Sequence, residues 1–391
     1  MSSLSLRSAT ALSPAIYLLS LCSFAFGLSE FIAAGLLSSM ARELQASVAA
    51  TGGAIAAYAL GAAIGAPILT AMLARWPERQ VLVATMAVLA LGSLAMAAAP
   101  GLGPLLAVRF VVGLAHGVFM AVASHAATSL VDPARSGRAL AIVWLGLTLA
   151  LAGGVPLGTW LGALLSWRCV FAVIGMLALC GGVGLLWAMP KVQKEAAPIS
   201  ALASLRAIGR RPLLMAAAIA ALVSVATFSF FTYISPFLLQ ISGLDAGWLG
   251  AAMLSFGLCS IAGNLLGGWC ADRPDAHRIM LLALGALALN LLGFYVLRLQ
   301  ATAMLVLCGS LGLLFFAIVT MSTMRLLRLA QQHCPGSDAV AAGLNIAAFN
   351  LGTAAGGALG GLLIGAQGLP SIALGGMAAA LLAMALLWQR K

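Results

Sequence analysis

The chain has 391 residues, 63% of them hydrophobic and only 7% charged, with a mean hydropathy of +1.11. A water-soluble domain of that composition has too few polar groups to cover its surface, so the chain belongs in a membrane. The net charge of +11 would suit a nucleic-acid partner, but the placement of the charges along the chain excludes that reading.

Hydrophobic stretches near twenty residues match the roughly 30 Å of hydrocarbon that a helix must cross. They fall at about 14–37, 47–70, 80–99, 104–130, 139–165 and 169–189, then at about 213–240, 246–270, 279–299, 303–326, 340–364 and 371–389. With the N-terminus inside, sixteen of the 20 Lys and Arg, from Arg7 to Lys391, fall on the terminal side. Only Arg42, Arg168 and Arg298 fall opposite, and Arg109 lies within a span. This asymmetry obeys the positive-inside rule and predicts cytoplasmic termini. The first stretch runs past Glu30, too long for a cleaved leader. The 7 cysteines show no CxxC spacing, so neither a disulfide framework nor a zinc site is supported.

Pro190 to Pro212 breaks the hydrophobic rhythm with Lys191, Lys194, Glu195, Arg206, Arg210 and Arg211. It divides the chain into an N-terminal six-helix half (1–189), a cytoplasmic central loop (190–212) and a C-terminal six-helix half (213–391). A fixed shift of 203 residues aligns Gly65 with Gly268, Gly153–Gly154 with Gly356–Gly357, Gly158 with Gly361 and Gly162 with Gly365. Two similar parallel halves suit a carrier whose site lies between them near the bilayer midplane. The same shift sets Tyr233 opposite Glu30 and Gly312 opposite Arg109. Ion coupling is therefore expected in the first half and a neutral, aromatic wall in the second.

Glu30 is the one acid inside the spans, and Arg109 the one buried base. An ion in hydrocarbon costs several kcal/mol, which makes both functional candidates as a proton-coupling pair. Alternating solvent access would load and unload a proton on Glu30. A static ion pair, or an Arg109 that snorkels to the surface, is the structural alternative. Arg109 and His116 lie about 20° apart on a helix and share a face. His116 either relays a proton or contacts substrate, or is a neutral packing residue. Gly113 and Gly117 let a neighbouring helix approach. His125, near the cytoplasmic end, reads as structural.

For the substrate cavity, span 7 offers Phe230 and Tyr233 among its aromatics, with Tyr58 in span 2 and Asn350 in span 11. Asn264, Asn290 and Asn345 suit interhelical hydrogen bonds. Span 5 carries Gly154, Pro156 and Gly158, which either bend the helix for gating or serve ordinary packing. Gly268 heads the loop Gly268–Arg273, and the 203-residue shift sets Gly65 opposite it. Asp272, beside Arg273, would pair with Arg325 or Arg328 as an inner latch, or remain a solvated loop acid. No Walker loop, HExxH, GxSxG or metal-ligand cluster occurs, so neither an enzyme nor a cofactor is expected.

These residues resemble the major facilitator superfamily over essentially the whole chain. More narrowly the chain is similar to bacterial twelve-helix drug/proton antiporters, in the branch of sugar (arabinose-type) and purine-nucleoside efflux permeases. Leu28–Phe31 through Leu37, Arg109–Gly117, Gly154–Gly158 with Gly162 and Trp167–Arg168, Tyr233–Phe237, Phe349–Gly352 and Gly268–Arg273 carry the likeness. It implies proton-driven efflux, with the first-helix acid and fourth-helix arginine in coupling and the loop motif and fifth-helix glycines in gating. The chain departs from the pattern at Leu69, where an Asp is usual, at Val155 before Pro156, and at Ser235, where some relatives carry an acid.

The expected fold is an all-α polytopic membrane protein of twelve transmembrane helices in two pseudo-symmetric six-helix halves. The expected function is proton-coupled efflux of a small-molecule substrate by alternating access, from a monomer in the bacterial inner membrane. Partners are the substrate, protons and the lipid bilayer, not nucleic acid. The alternatives are a uniporter or proton symporter of the same fold, or a non-transporting sensor or assembly subunit.

Overall fold

A computed structural model describes residues 13–73, 75–132, 135–190, 210–333 and 338–389. Most of the central loop lies outside these residues, as do Arg7, Lys191, Lys194, Arg206, Cys334, Arg390 and Lys391. Among the described residues, twelve helices are long and apolar enough to cross a membrane. In chain order they are α1 (Pro14–Glu43), α2 (Val48–Met72), α3 (Glu78–Ala97), α4 (Leu102–Ser129), α5 (Arg138–Leu164), α6 (Trp167–Ala188), α7 (Arg211–Phe231), α8 (Gly247–Ala271), α9 (Ala276–Val296), α10 (Ala301–Gln332), α11 (Gly343–Gln367) and α12 (Ser371–Trp388).

Local chemistry starts several of these helices. The Ser47 hydroxyl accepts from Ala50 N–H at 3.1 Å, and the Ser166 hydroxyl from Arg168 N–H at 3.1 Å. Asp245 Oδ1 accepts from Trp248 N–H at 2.9 Å. Each satisfies a donor that the first helical turn leaves open. The first helix runs beyond its expected end near residue 37 to Glu43, because Arg42 and Glu43 extend it past the apolar stretch.

Three spans depart from regular α geometry. In α2, α5 and the end of the seventh span, a backbone N–H reaches back five residues. Thr70 bonds to Gly65, Val155 to Ala150 and Ser242 to Phe237. These π turns sit beside Pro67, Pro156 and Pro236, whose missing N–H groups leave the regular ladder incomplete. The seventh span, expected as one stretch, breaks after Phe231 and resumes at Ile234.

The same three helix pairs build each half. In the first, α2 packs on α4, α1 on α5 and α3 on α6; in the second, α8 packs on α10, α7 on α11 and α9 on α12. Between halves, α2 lies along α11 and α5 along α8. That pattern maps onto itself when the halves are exchanged, which is the pseudo-symmetry the glycine register predicts. Twelve spans also return the described chain to the side on which it began, called here the terminal side; the opposite side is the far side.

Candidate functional site

The site begins with glycine. A Cβ at Gly113 would lie 2.0 Å from the Tyr58 carbonyl oxygen, and one at Gly117 would lie 2.5 Å from that of Ala62. Without side chains there, α4 rests directly on α2. That contact carries Arg109, one turn earlier, into the junction of α1, α2 and α4.

Arg109 is fully buried, so the snorkelling alternative is excluded. Its Nε donates to Ala54 O at 3.0 Å, Nη1 to Ser29 O at 2.6 Å and Nη2 to Glu30 O at 3.3 Å. Its guanidinium also lies 4.3 Å from the Tyr58 ring centre. The expected side-chain pair with Glu30 is thereby corrected: Arg109 grips the backbone of Glu30, not its carboxylate. A carbonyl keeps a second lone pair after its helical bond, and the planar fork of donors can engage several at once.

The one ion-pair contact of the Glu30 carboxylate among the described residues is with His116, Oε2 to Nδ1 at 3.8 Å. That is too long for a direct hydrogen bond. The His116 ring stacks on Phe26 at 5.1 Å and tilts against Tyr58 at 5.6 Å, and neither ring nitrogen has a hydrogen-bond partner. A buried polar group left open in this way is costly.

A small cleft opens between the halves. Glu30, Phe31 and Ala34 of α1 and Ile55, Tyr58 and Ala59 of α2 line one side; Phe228 and Phe231 of α7 and Thr353 of α11 line the other. The Glu30 side chain is 17% exposed, whereas Arg109 beside it is sealed. Tyr58 is thus both a wall of the cleft and the plate between Arg109 and His116.

Three residues expected in the cavity do not line this cleft. Phe230 points away from the cleft into α9, 4.1 Å from the Phe294 ring and 4.9 Å from that of Phe237. Phe228 and Phe231, three residues apart on the opposite face, form the wall instead. Tyr233 is buried between halves: its hydroxyl donates to Gly357 O at 2.8 Å and lies 3.4 Å from Ala49 O. Its ring fills the space left by Gly52, where a Cβ would be 2.4 Å from it. Asn350 donates to Ile346 O at 3.0 Å and does not line the cleft. Thr353, one turn further along the helix, does; the sequence reading passed over it. The i, i+3 spacing from Asn350 was the signal that could have found it.

Of the residues expected to gate, Asp272 and Arg328 come together, with Nη2 donating to Oδ1 at 2.8 Å and Nη1 donating to Ala271 O at 2.7 Å. Arg273 turns aside and lies 3.9 Å over the Trp269 ring. Gly65 presses on α4, where a Cβ would meet Leu114 O at 2.2 Å. Its counterpart Gly268 is looser, with Thr320 Cγ2 at 4.0 Å. Gly154 ends the π turn of α5, and Pro156 and Gly158 follow it, buried. On the far side Ser235 donates to Ser38 at 3.0 Å, a second tie between halves.

Other expectations fit. Asn264 accepts from Thr320, Asn290 donates to Ser310 and Asn345 to Thr323, each across a helix pair. His125 meets Glu78 at 2.6 Å near the terminal-side ends of α4 and α3.

The sequence profile of the Major Facilitator Superfamily matches residues 19–339. The inner membrane transport protein YdhP of Escherichia coli (strain K12) is 35% identical over 357 residues, covering 89% of this chain and 88% of that protein. A chloramphenicol resistance protein of Streptomyces lividans is 34% identical over 347 residues, covering 87% and 86%. Among solved structures, a bacterial homologue of the human lysosomal transporter Spinster, inward-facing and occupied, superposes with a TM-score of 0.75 at 15% identity, over 96% of this chain and 95% of that one.

Proposed function

This chain belongs to the Major Facilitator Superfamily, a family of membrane transporters, and on that premise we propose that it exports small organic molecules in exchange for protons. The observation that carries the reading is the position of Glu30. Its carboxylate stands at the cleft between the halves, while the cation beside it is held by three backbone carbonyls. A carboxylate so placed can take a proton when the far side opens and yield it when substrate arrives from the terminal side. Arg109 fixes the backbone of α1 against α2 and α4, and so holds Glu30 at the cleft. His116 Nδ1 lies 3.8 Å from the Glu30 carboxylate, so a small side-chain movement brings the two within hydrogen-bond reach.

In this scheme Tyr233, Ser38 and Ser235 close the far side, and the Asp272–Arg328 pair steadies α8 against α10 on the terminal side. The π turns of α2 and α5 supply bends beside the two seams between halves. Outward movement is favoured by the relative named for chloramphenicol resistance, since a transporter that protects a cell from a compound must lower its internal concentration. The distribution of basic residues favours cytoplasmic termini; the inner membrane as the setting and one chain as the working unit belong to the same proposal.

The test uses inverted membrane vesicles energised to an acid interior, with a pH-sensitive dye and a panel of sugars, nucleosides and hydrophobic drugs. Proton release on addition of a compound is expected from wild type and not from Glu30→Gln, with the variant folded and still binding that compound. Counterflow without proton movement in wild type would replace antiport by uniport. Equal proton release from both proteins would move the proton site away from Glu30.

A further inference from the structure

We infer that the far side opens by one leaf: residues 234–241 swing away from α1 about the break that follows Phe231, while Arg168 holds the far end of α1 fixed within the first half. This rests on the reading of the Tyr233 and Ser38–Ser235 contacts as the closed far gate. The two leaves of that gate are built differently. On the first-half side α1 is one unbroken helix to Glu43, and its last residue is bolted down. Arg168, at the start of α6, donates from Nε to Glu43 Oε1 at 2.5 Å, and from Nη1 to Ala97 O at 2.9 Å and Ala99 O at 2.8 Å. Those carbonyls stand where α3 ends, a place of open acceptors. The guanidinium also covers the Trp167 ring at 4.4 Å, and that buried ring meets Phe171 edge-on. An exposed ion pair alone holds weakly. Here one planar fork gathers the far ends of α1, α3 and α6 at a single point.

The second half has no such bolt among its described residues. The 203-residue shift sets Ala246 opposite Glu43 and Ser371 opposite Arg168. Ser371 bonds only to Leu363 O and Gly368 O nearby, and Arg298, the base on that rim, turns to the carbonyl and ring of Tyr295. The leaf itself is jointed at both ends. Helix α7 stops at Phe231, and Tyr233 leaves helical geometry at φ −110° and ψ 20°. A short helical turn, Ile234–Pro236, leads into the π turn of Phe237–Ile241, and Gly243 ends the segment in a left-handed turn at φ +67°. A few such positions at element ends are enough to absorb a hinge motion. Tyr233 pins the first joint to its own half: its hydroxyl is closer to Gly357 O, at 2.8 Å, than to Ala49 O across the seam, at 3.4 Å. Beyond that joint the leaf meets α1 through Ser235 and Ser38. It meets α9 through Phe237 and Phe294, rings 6.3 Å apart, a contact without fixed direction that can slide. Glu30 lies on the bolted leaf, so the gate opens without pulling it from the grip of Arg109.

The experiment measures spin-label distances in the full-length protein in lipid nanodiscs, with genetically encoded labels so that the native cysteines stay in place. The pairs are Gln240–Gln300 within the second half, Arg42–Ala95 within the first, and Arg42–Gln240 across the seam. Each is recorded at acid and at alkaline pH, and in a Ser38→Trp background whose indole wedges the seam. Opening should lengthen both Gln240 distances by about 5 Å or more and leave Arg42–Ala95 in one narrow distribution. Arg168→Gln should add a second, longer Arg42–Ala95 population. Glu43→Gln, which leaves both carbonyl bonds in place, should add a smaller one, and Arg168→Lys should fall between wild type and Arg168→Gln. A seam that opens while Gln240–Gln300 stays fixed overturns the inference; the halves then rock as rigid bodies and the far gate stands. An Arg42–Ala95 distance that changes in wild type, or stays the same in both Arg168→Gln and Glu43→Gln, overturns it too. A cross-seam distance that stays single under every condition removes the far gate, and the inference with it.

Discussion

The two halves share one arrangement of helix pairs and fill its centre with opposite chemistry. In the first half the junction of α1, α2 and α4 holds a guanidinium, a carboxyl group and an imidazole within a few ångströms. The corresponding region of the second half is a chain of rings: Phe294 against Phe230 at 4.1 Å, Phe231 against Phe256 at 4.4 Å and Phe228 against Phe315 at 5.7 Å. Gly312, which stands where Arg109 does, presses on the Phe256 carbonyl, where a Cβ would be 2.2 Å away. One half therefore uses the position for three directional bonds, and the other closes it by backbone contact. The same scaffold thus accepts either filling. The polar cluster lies on the proposed proton path, and of the rings Phe228 and Phe231 also wall the cleft.

That division can be broken most decisively at Glu30. Glu30→Gln should reduce coupled proton movement to background while thermal unfolding stays near that of wild type; a folded variant that still exchanges protons would erase the contrast between halves. Next in size is Phe294→Ala, expected to cost about 3–5 kcal/mol of stability by opening a cavity among Phe230 and Phe237. Its thermal midpoint should fall, while proton release per substrate bound stays constant. Arg109→Lys sharpens the first half. An ammonium cannot span three carbonyls as a guanidinium does, and the loss of about 3 kcal/mol should appear as roughly a 100-fold drop in transport. Rates within a factor of a few of wild type would show that one contact suffices. The smallest effect is expected at Asp272→Asn. The pair with Arg328 is largely exposed, so stability should shift by no more than about 1 kcal/mol in thermal unfolding. A larger loss would make the pair a tether between α8 and α10.

The spans, the two-fold repeat and the glycine contacts of α4 were legible because they are written in hydrophobic length and residue size. The interhelical asparagines were legible for the same reason: an amide in hydrocarbon must find a partner. The phase of the seventh span was not. Its residues are apolar on every side, so periodicity does not separate a face toward the cleft from one toward α9, and Phe230 was taken for a wall in place of Phe228 and Phe231. The acceptors of Arg109 were hidden for another reason. Charge alone suggests the carboxylate, but backbone carbonyls carry no sequence signature, and the glycine contact that brings them near is a tertiary fact. The break after Phe231 is likewise absent from the sequence reading, which takes the seventh span as one stretch.

The π turn of α5 bears on how this family of shapes can change. Such a turn is one residue more than a regular helix needs, and everything after it is rotated by about 100° relative to an uninterrupted helix. Gly158 and Gly162 meet α1 at Ile32 and Leu36 because of that extra residue. A deletion of one codon within Ala150–Gly154 would restore an ordinary helix and turn both glycines off α1, carrying bulkier neighbours into the contact. An insertion elsewhere in the span would not repair it unless it fell before Gly158. The length of this segment, and not any one side chain, therefore sets which face of α5 meets α1.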